Sequence, residues 1–529
     1  MRIIILALVS LCINMPLFIS TGLIASHDIF YHVIWSEQFR NALMDGVLYP
    51  YWVDTPFGYG SPTFVFYAPL SFYIINAVNF LITSPILSIK LAIYLSFFLS
   101  GLSMYLFVRK LDGEKTALAS AIVYELLPYH ISELLMRGSV PALFAFIWFP
   151  LILLFMREIY VEKKNSSIPF LGLSYAGLIL THIASAFMFT FVMLLYGLYL
   201  AIIKKQAGTV RILLGIVTAL GLSSVYLMPV IFERVFVHID LMKLLNYNYE
   251  NNFLFMHINK SLLQEPPISK IAILDILFFL VSLILLKKGL LSSEKSYFVF
   301  LQGLSLFFSI PISAYIWRYF PGFPNLQFPW RWLVFSGLSV AVVSGNIFYK
   351  PEGIFKKAII LIVFLMLFLS FYRIAKPFPL ADIDFWKNQS VAFAPYEYRP
   401  IWVRKPVTIL PHVEKVQIEK GGKVVINDWK SNYRLLSVDT DNPARLRLST
   451  FYYPGWQARI DGRRSDIMVH HESGSMIIEI PKGSHTVEIT FEDTTVRHYG
   501  RIVSLVSLIF ICLLFIHHAM KNRYVKEDR

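Results

Sequence analysis

Residues 3–32, IIILALVSLCINMPLFISTGLIASHDIFYH, decide the fold class: an apolar run from Ile3 to Ile24 passes directly into His27-Asp28-Ile29-Phe30-Tyr31-His32. The run is about as long as a bilayer core requires, and its flank holds Arg2 alone, too little for the basic region of a cleaved leader. It reads as a retained transmembrane helix. An acid between two histidines, where such a helix meets water, has two readings. Asp28 can be the N-cap of an amphipathic helix from Ile29 to Leu43, whose apolar positions Ile29, Val33, Ile34 and Leu43 roughly share a face. It can also be the reactive group of a site at the membrane boundary.

The rest of the chain sustains the membrane reading. Of its 529 residues 56% are hydrophobic, 16% aromatic and 16% charged, which lies outside the range of soluble domains. A net charge of +14 would suggest nucleic acid in a soluble protein. Here the basic residues gather in short loops between apolar segments, so they report topology and anionic membrane lipid, and no nucleic-acid partner is expected. Apolar spans fall near 3–24, 86–108, 116–133, 140–157, 167–184, 186–203, 210–230, 271–287, 297–314, 329–348, 355–372 and 500–519, about twelve transmembrane helices by length. With both termini in the cytoplasm, the basic loops 109–115, 157–164, 204–211, 287–295 and 350–357 and the tail 521–529 all fall on the inner side. This holds provided that Tyr67 to Leu81 lies along the outer surface instead of crossing. Cys12 and Cys512 both sit inside apolar segments and read as buried, without a disulfide framework.

The expected organisation is a transmembrane domain over 1–372 with a long outer loop at 25–85, a soluble outer domain over 373–498, and a final helix with a basic tail over 499–529. From Leu446 onward apolar and polar residues alternate between turns at Pro454-Gly455, Asp461-Gly462, Ser473-Gly474 and Lys482-Gly483, the pattern of a small β-sandwich. The loop 25–85 is polar, aromatic and glycine-rich, more than a connector needs.

A set of motifs resembles the GT-C superfamily of membrane glycosyltransferases. More narrowly it resembles the bacterial membrane proteins labelled 6-pyruvoyl-tetrahydropterin-synthase-related, and more distantly the YfhO-like membrane proteins. The matching pieces are His27-Asp28 with His32, Gly46 to Trp52, Gly58-Tyr59-Gly60-Ser61-Pro62, Phe66 to Leu70, Leu127-Pro128-Tyr129-His130, Arg137-Gly138-Ser139, Thr181-His182 and Gln327 to Trp332. The pterin-synthase label finds no chemical support, because no soluble zinc domain with three histidines is visible. One departure stands out: two residues after Ser139 the resemblance leads one to expect an acid, and this chain has Pro141.

The resemblance implies transfer of a sugar from a polyprenyl-phosphate donor to a cell-envelope glycan, lipid or protein acceptor on the outer face of a bacterial inner membrane. Such a reaction needs a base for the acceptor hydroxyl and cations for the departing phosphate. Asp28 is the candidate base, in a single displacement that inverts the anomeric centre. Arg331, within Pro329-Trp330-Arg331-Trp332, is the leading phosphate ligand, with Trp330 beside it; the plain alternative is an aromatic belt anchored at the interface. Arg137 is a second cation, although a helical pair with Glu133 accounts for it equally well. His182 stands at a helix end, where a histidine is a site residue or simply satisfied. His27 and His32 are partners for Asp28, and together the three offer ligands for a divalent metal but lack a fourth. Asp382 and Asp384 resemble a metal-holding acid pair by accident, and Asn388 is a glycosylation sequon by spelling. Aromatics such as Tyr452, Tyr453 and Trp456 suit either the core of the outer domain or sugar stacking. A transporter or a non-catalytic scaffold of polysaccharide assembly are the competing classes; a transporter would place its polar groups at mid-membrane depth in two related halves.

Overall fold

The computed structural model describes residues 1–54, 56–243, 248–256, 266–347, 357, 360–366, 368, 396–404, 414–419 and 421–527. Six helices are long and apolar enough to cross a bilayer: Arg2–Ile19, Pro85–Asp112, Val140–Tyr160, Ile183–Ile203, Ile268–Lys287 and Thr495–His518. Two more spans are formed if the pairs Thr209–Leu222 with Ser224–Phe236 and Ser293–Ser309 with Pro311–Tyr319, bent by 70° and 84°, each count as one. Among the described residues, six to eight spans thus meet this length and composition. Two of the expected spans fall on the helices Glu114–Glu125 and Ile168–Thr181, of 12 and 14 residues, which at about 1.5 Å per residue fall short of a core about 30 Å thick; a third falls on Leu333–Ile347, which runs to the edge of the described residues. The chain stays apolar through the helix breaks at Pro128, His182 and Pro329. The expected span 355–372 lies largely outside the described residues, as do Asp382, Asp384 and Asn388. Leu70–Ile82, at 13 residues, is likewise too short to cross.

Ion pairs gather the N-terminus and three basic loops at one end of the helical array. Lys110 meets Glu162 at 3.0 Å, Arg157 meets Glu294 at 3.1 Å, Lys295 meets Asp112 at 2.8 Å, and Arg2 pairs with Glu114. Cys12 and Cys512 are exposed, not buried. The first and last helices explain this, since little of either is covered by the protein and their free faces are apolar.

Beyond the helices the chain forms strands β1 Val416–Glu419, β2 Lys423–Lys430, β3 Tyr433–Thr440, β4 Ala444–Phe451, β5 Trp456–Ile460, β6 Arg463–Ser465, β7 Met468–Val469, β8 Ser475–Ile480 and β9 Gly483–Phe491. All pair antiparallel, in two sheets ordered β1-β4-β8-β7 and β2-β3-β9-β5-β6. Alternate residues of both sheets, among them Leu436, Val438, Leu446, Leu448, Ile478 and Val487, share one apolar cluster. Three strands precede Leu446, where the sequence pattern begins. Strand β2 at a sheet edge buries little, so its residues are under no pressure to alternate. Tyr453 and Trp456 are 0% and 3% exposed and belong to this core, which removes them from sugar stacking.

That core also includes Tyr51, Trp52, Val65 and Phe66 of the first long loop. Trp52 packs edge-on against Trp456, with ring centroids 5.5 Å apart. The Asp54 carboxylate accepts hydrogen bonds from the indoles of Trp52 at 3.1 Å and Trp429 at 3.0 Å and pairs with buried Arg434. Asp45 accepts from the Ser431 amide at 2.8 Å and its hydroxyl at 2.6 Å. The loop that begins at Asp28 is therefore part of the β domain's packing.

Candidate functional site

Asp28 sits at the N-cap of the helix Ile29–Met44, but its side chain does not cap it. The carboxylate instead accepts a hydrogen bond from Arg137 Nη2 at 2.9 Å, an ion pair across 109 residues. The backbone is stitched to the same place: the amides of His27 and Asp28 donate to the carbonyls of Met136 at 3.1 Å and Arg137 at 2.8 Å. Arg137 thus pairs with Asp28 in preference to Glu133.

This junction explains Arg137-Gly138-Ser139. Residues Glu133–Arg137 form a single π-helical turn closed by Gly138 in the left-handed region, with φ of 61°. A Cβ on Gly138 would lie 2.0 Å from Ser26 Oγ and 3.1 Å from Ile29 Cβ, so a side chain there would push away the segment that carries Asp28. Turns of this kind recur at functional sites. Pro141 starts the following helix, Val140–Tyr160, which suits a residue without an amide proton.

On the far side of Arg137 lies a small pocket. Its polar lining is Tyr129, Glu133, Arg137, Ser139, His182, Ser185 and Arg331; Ala142, Phe146, Met188 and Val334 are the apolar wall. Two guanidiniums from distant parts of the sequence converge here. Phe328 makes this tolerable: its ring centroid is 5.2 Å from the Arg137 guanidinium carbon and 4.9 Å from that of Arg331, so both cations rest on one ring. Arg331 Nη1 donates to the Leu326 carbonyl at 2.8 Å, and His182 Nδ1 bonds Ser185 Oγ at 2.7 Å. The histidine occupies the extended residue between the helices Ile168–Thr181 and Ile183–Leu198.

The structure therefore brings Arg137, His182 and Arg331 into one pocket, with Asp28 joined to it through Arg137. Trp330 does not line the pocket; its ring lies 5.7 Å from the Arg137 guanidinium. Trp330 and Trp332 are 1% and 0% exposed, so they are core residues and not an interfacial belt. Sequence reasoning passed over Tyr129, Ser139 and Ser185 and saw Glu133 as a helical partner alone, although all four lie in or beside the quoted motifs.

His32 is fully buried, with ring centroids of Trp35, Tyr67 and Phe72 at 6.2, 6.0 and 6.0 Å. Among the described residues no three His, Cys, Asp or Glu side chains come together to hold a metal ion. The metal set His27, Asp28 and His32 fails because His32 turns into its aromatic box and Asp28 is taken by Arg137. Burial pushes the His32 pKa down to about 4; Asp28 opposes this and Arg137 adds to it. An unfolded histidine titrates near 6.5, so the stability held by neutral His32 is full above that value and is lost as the pH falls toward 4. The expected loss is about 2 kcal/mol between pH 7 and pH 5. Thermal unfolding of detergent-solubilised protein at both values checks this: His32→Phe should remove that share of the acid sensitivity, and an unchanged pH dependence would refute it.

Fold and site together define a polytopic helical membrane protein with an arginine-lined pocket among its helices and a separate β-sheet domain. Residues 64–376 match the family model described as the 6-pyruvoyl-tetrahydropterin synthase related domain of membrane proteins, and the chain belongs to that family. No curated protein matches it. Among solved structures it is similar to the Archaeoglobus fulgidus oligosaccharyltransferase in its apo form, at 11% identity and a TM-score of 0.44, covering 76% of this chain and 60% of that one. A complex of the same archaeal enzyme with an inhibitory peptide and a dolichol-phosphate gives 12% identity, a TM-score of 0.46 and the same coverage. The chain thus spans about three fifths of the length of these proteins.

Proposed function

We propose that the protein is a membrane glycosyltransferase that moves a sugar from a polyprenyl-phosphate donor to a cell-envelope glycan, lipid or protein, on the outer face of a bacterial inner membrane. The observation that carries this reading is the convergence of Arg137 and Arg331 on one pocket with an apolar wall. Two guanidiniums suit a phosphate group bidentately, and Phe146, Met188 and Val334 suit the start of an apolar tail. His182 and Ser185 add polar contacts. Asp28, held against Arg137, is the base that takes the acceptor's hydroxyl proton while the phosphate leaves, with inversion at the anomeric carbon. The β domain and the first long loop shape the acceptor side.

Binding of undecaprenyl phosphate to purified protein in nanodiscs tests the pocket. Arg331→Ala should weaken it about 10- to 100-fold, the worth of one charge-assisted contact, with the thermal unfolding temperature retained. Arg331→Lys should recover part of the loss. Affinity unchanged in Arg331→Ala would sink the assignment.

A further inference from the structure

We infer that Glu133 recognises the sugar of the donor by accepting hydrogen bonds from its hydroxyls, an assignment that rests on the phosphate reading of the pocket. Glu133 is the one carboxylate among the residues lining it, since Asp28 lies outside the lining. It is 6% exposed, and among the described residues it forms no ion pair: Arg137 gives its short contact to Asp28 and acts on Glu133 through space. Tyr129, one helical turn earlier, lines the same cavity. As the first residue of the π-helical turn Glu133–Arg137, Glu133 faces the same cavity as the arginine at the other end of that turn.

A carboxylate in a phosphate pocket is a liability unless something donates to it. It repels phosphate oxygens, so a bare lipid phosphate leaves it without a gain. A sugar attached to that phosphate carries hydroxyl donors within reach, and a buried carboxylate accepting from hydroxyls makes charge-assisted bonds that a neutral group does not. Ser139 and Ser185 in the same lining add smaller donors and acceptors. Glu133 is then what makes the pocket selective for the glycosylated lipid. The bland account is that Glu133 merely offsets the two arginine charges, and it makes the opposite forecast. Losing a countercharge would tighten binding of every phosphate lipid alike.

The test compares undecaprenyl phosphate with undecaprenyl phosphates bearing glucose, mannose or galactose, bound to wild-type protein and to Glu133→Gln in nanodiscs. Wild type should prefer at least one glycosylated lipid. Glu133→Gln should weaken that lipid about 10- to 100-fold while leaving bare undecaprenyl phosphate unchanged or tighter. Tyr129→Phe, which keeps the ring but removes the hydroxyl that lines the same cavity, should show the same selective loss to a smaller degree and serves if the glutamine variant does not fold. The inference is overturned if the variants shift both lipid classes equally or neither, or if wild type binds all four lipids alike; the phosphate reading survives those outcomes. Failure of wild type to bind any of the four overturns both.

Discussion

Asp28→Asn should leave undecaprenyl phosphate bound and lower sugar transfer by roughly 10²- to 10⁴-fold, the range expected for loss of a general base. The substitution is chosen because an amide oxygen can still accept from Arg137 Nη2, which now lies 2.9 Å from the carboxylate. The backbone bonds of His27 and Asp28 to residues 136 and 137 are untouched, so the loop stays stitched. Neutralising Asp28 also frees Arg137 from its anionic partner, and the donor should bind as tightly as before or more so. The two readouts therefore separate chemistry from binding: transfer falls while affinity does not. Asp28→Asn with full transfer activity would exclude Asp28 as the base. Donor affinity and transfer lost in parallel would mark Asp28 as a structural anchor for Arg137.

The passage from residue 3 to residue 32 is legible in the sequence because a bilayer imposes a strict length and polarity rule on a first helix. Helix count is less legible, since apolar composition does not fall where Pro128, His182 and Pro329 interrupt helices that neighbouring helices shield from water. The candidates Arg137, His182 and Arg331 are visible as polar residues at segment ends, and they line one pocket. What sequence could not convey is which partner each takes. A Glu133-Arg137 pair at helical spacing looks sufficient until a π-helical turn and Gly138 redirect the arginine to Asp28. The aromatic belt around Arg331 fails for a similar reason: Trp330 and Trp332 have the composition of an interface, but the bend before Leu333 folds them into the core. Glu133 was hidden because a local ion pair already explained it.

The largest stability effect is expected where the β domain is clamped to the helices. Glu233 closes the bent segment Ser224–Glu233, and Arg497 opens the last helix; their side chains are 2% and 0% exposed and meet at 2.7 Å. Thr494 and Tyr453 hydroxyls donate to the same carboxylate at 2.7 and 3.1 Å, and Arg497 also donates to the Pro454 carbonyl at 3.1 Å. The guanidinium rests against Tyr51, Tyr453 and Phe491, 5.1, 5.5 and 4.7 Å from their ring centroids. Removing either charge leaves the other buried without a partner, which costs roughly 3–5 kcal/mol. Glu233→Gln and Arg497→Met should each show that cost in denaturant unfolding followed by tryptophan fluorescence, with Trp52, Trp429 and Trp456 reporting from the interface. The double variant removes both charges and should cost less than the sum of the two. Because Tyr51 and Trp52 share this packing with the β domain, either single variant should also loosen the loop that starts at Asp28 and lower transfer without altering the pocket itself. Single variants that each cost under about 1 kcal/mol, as surface ion pairs do, would show that the domain is held by its apolar core alone.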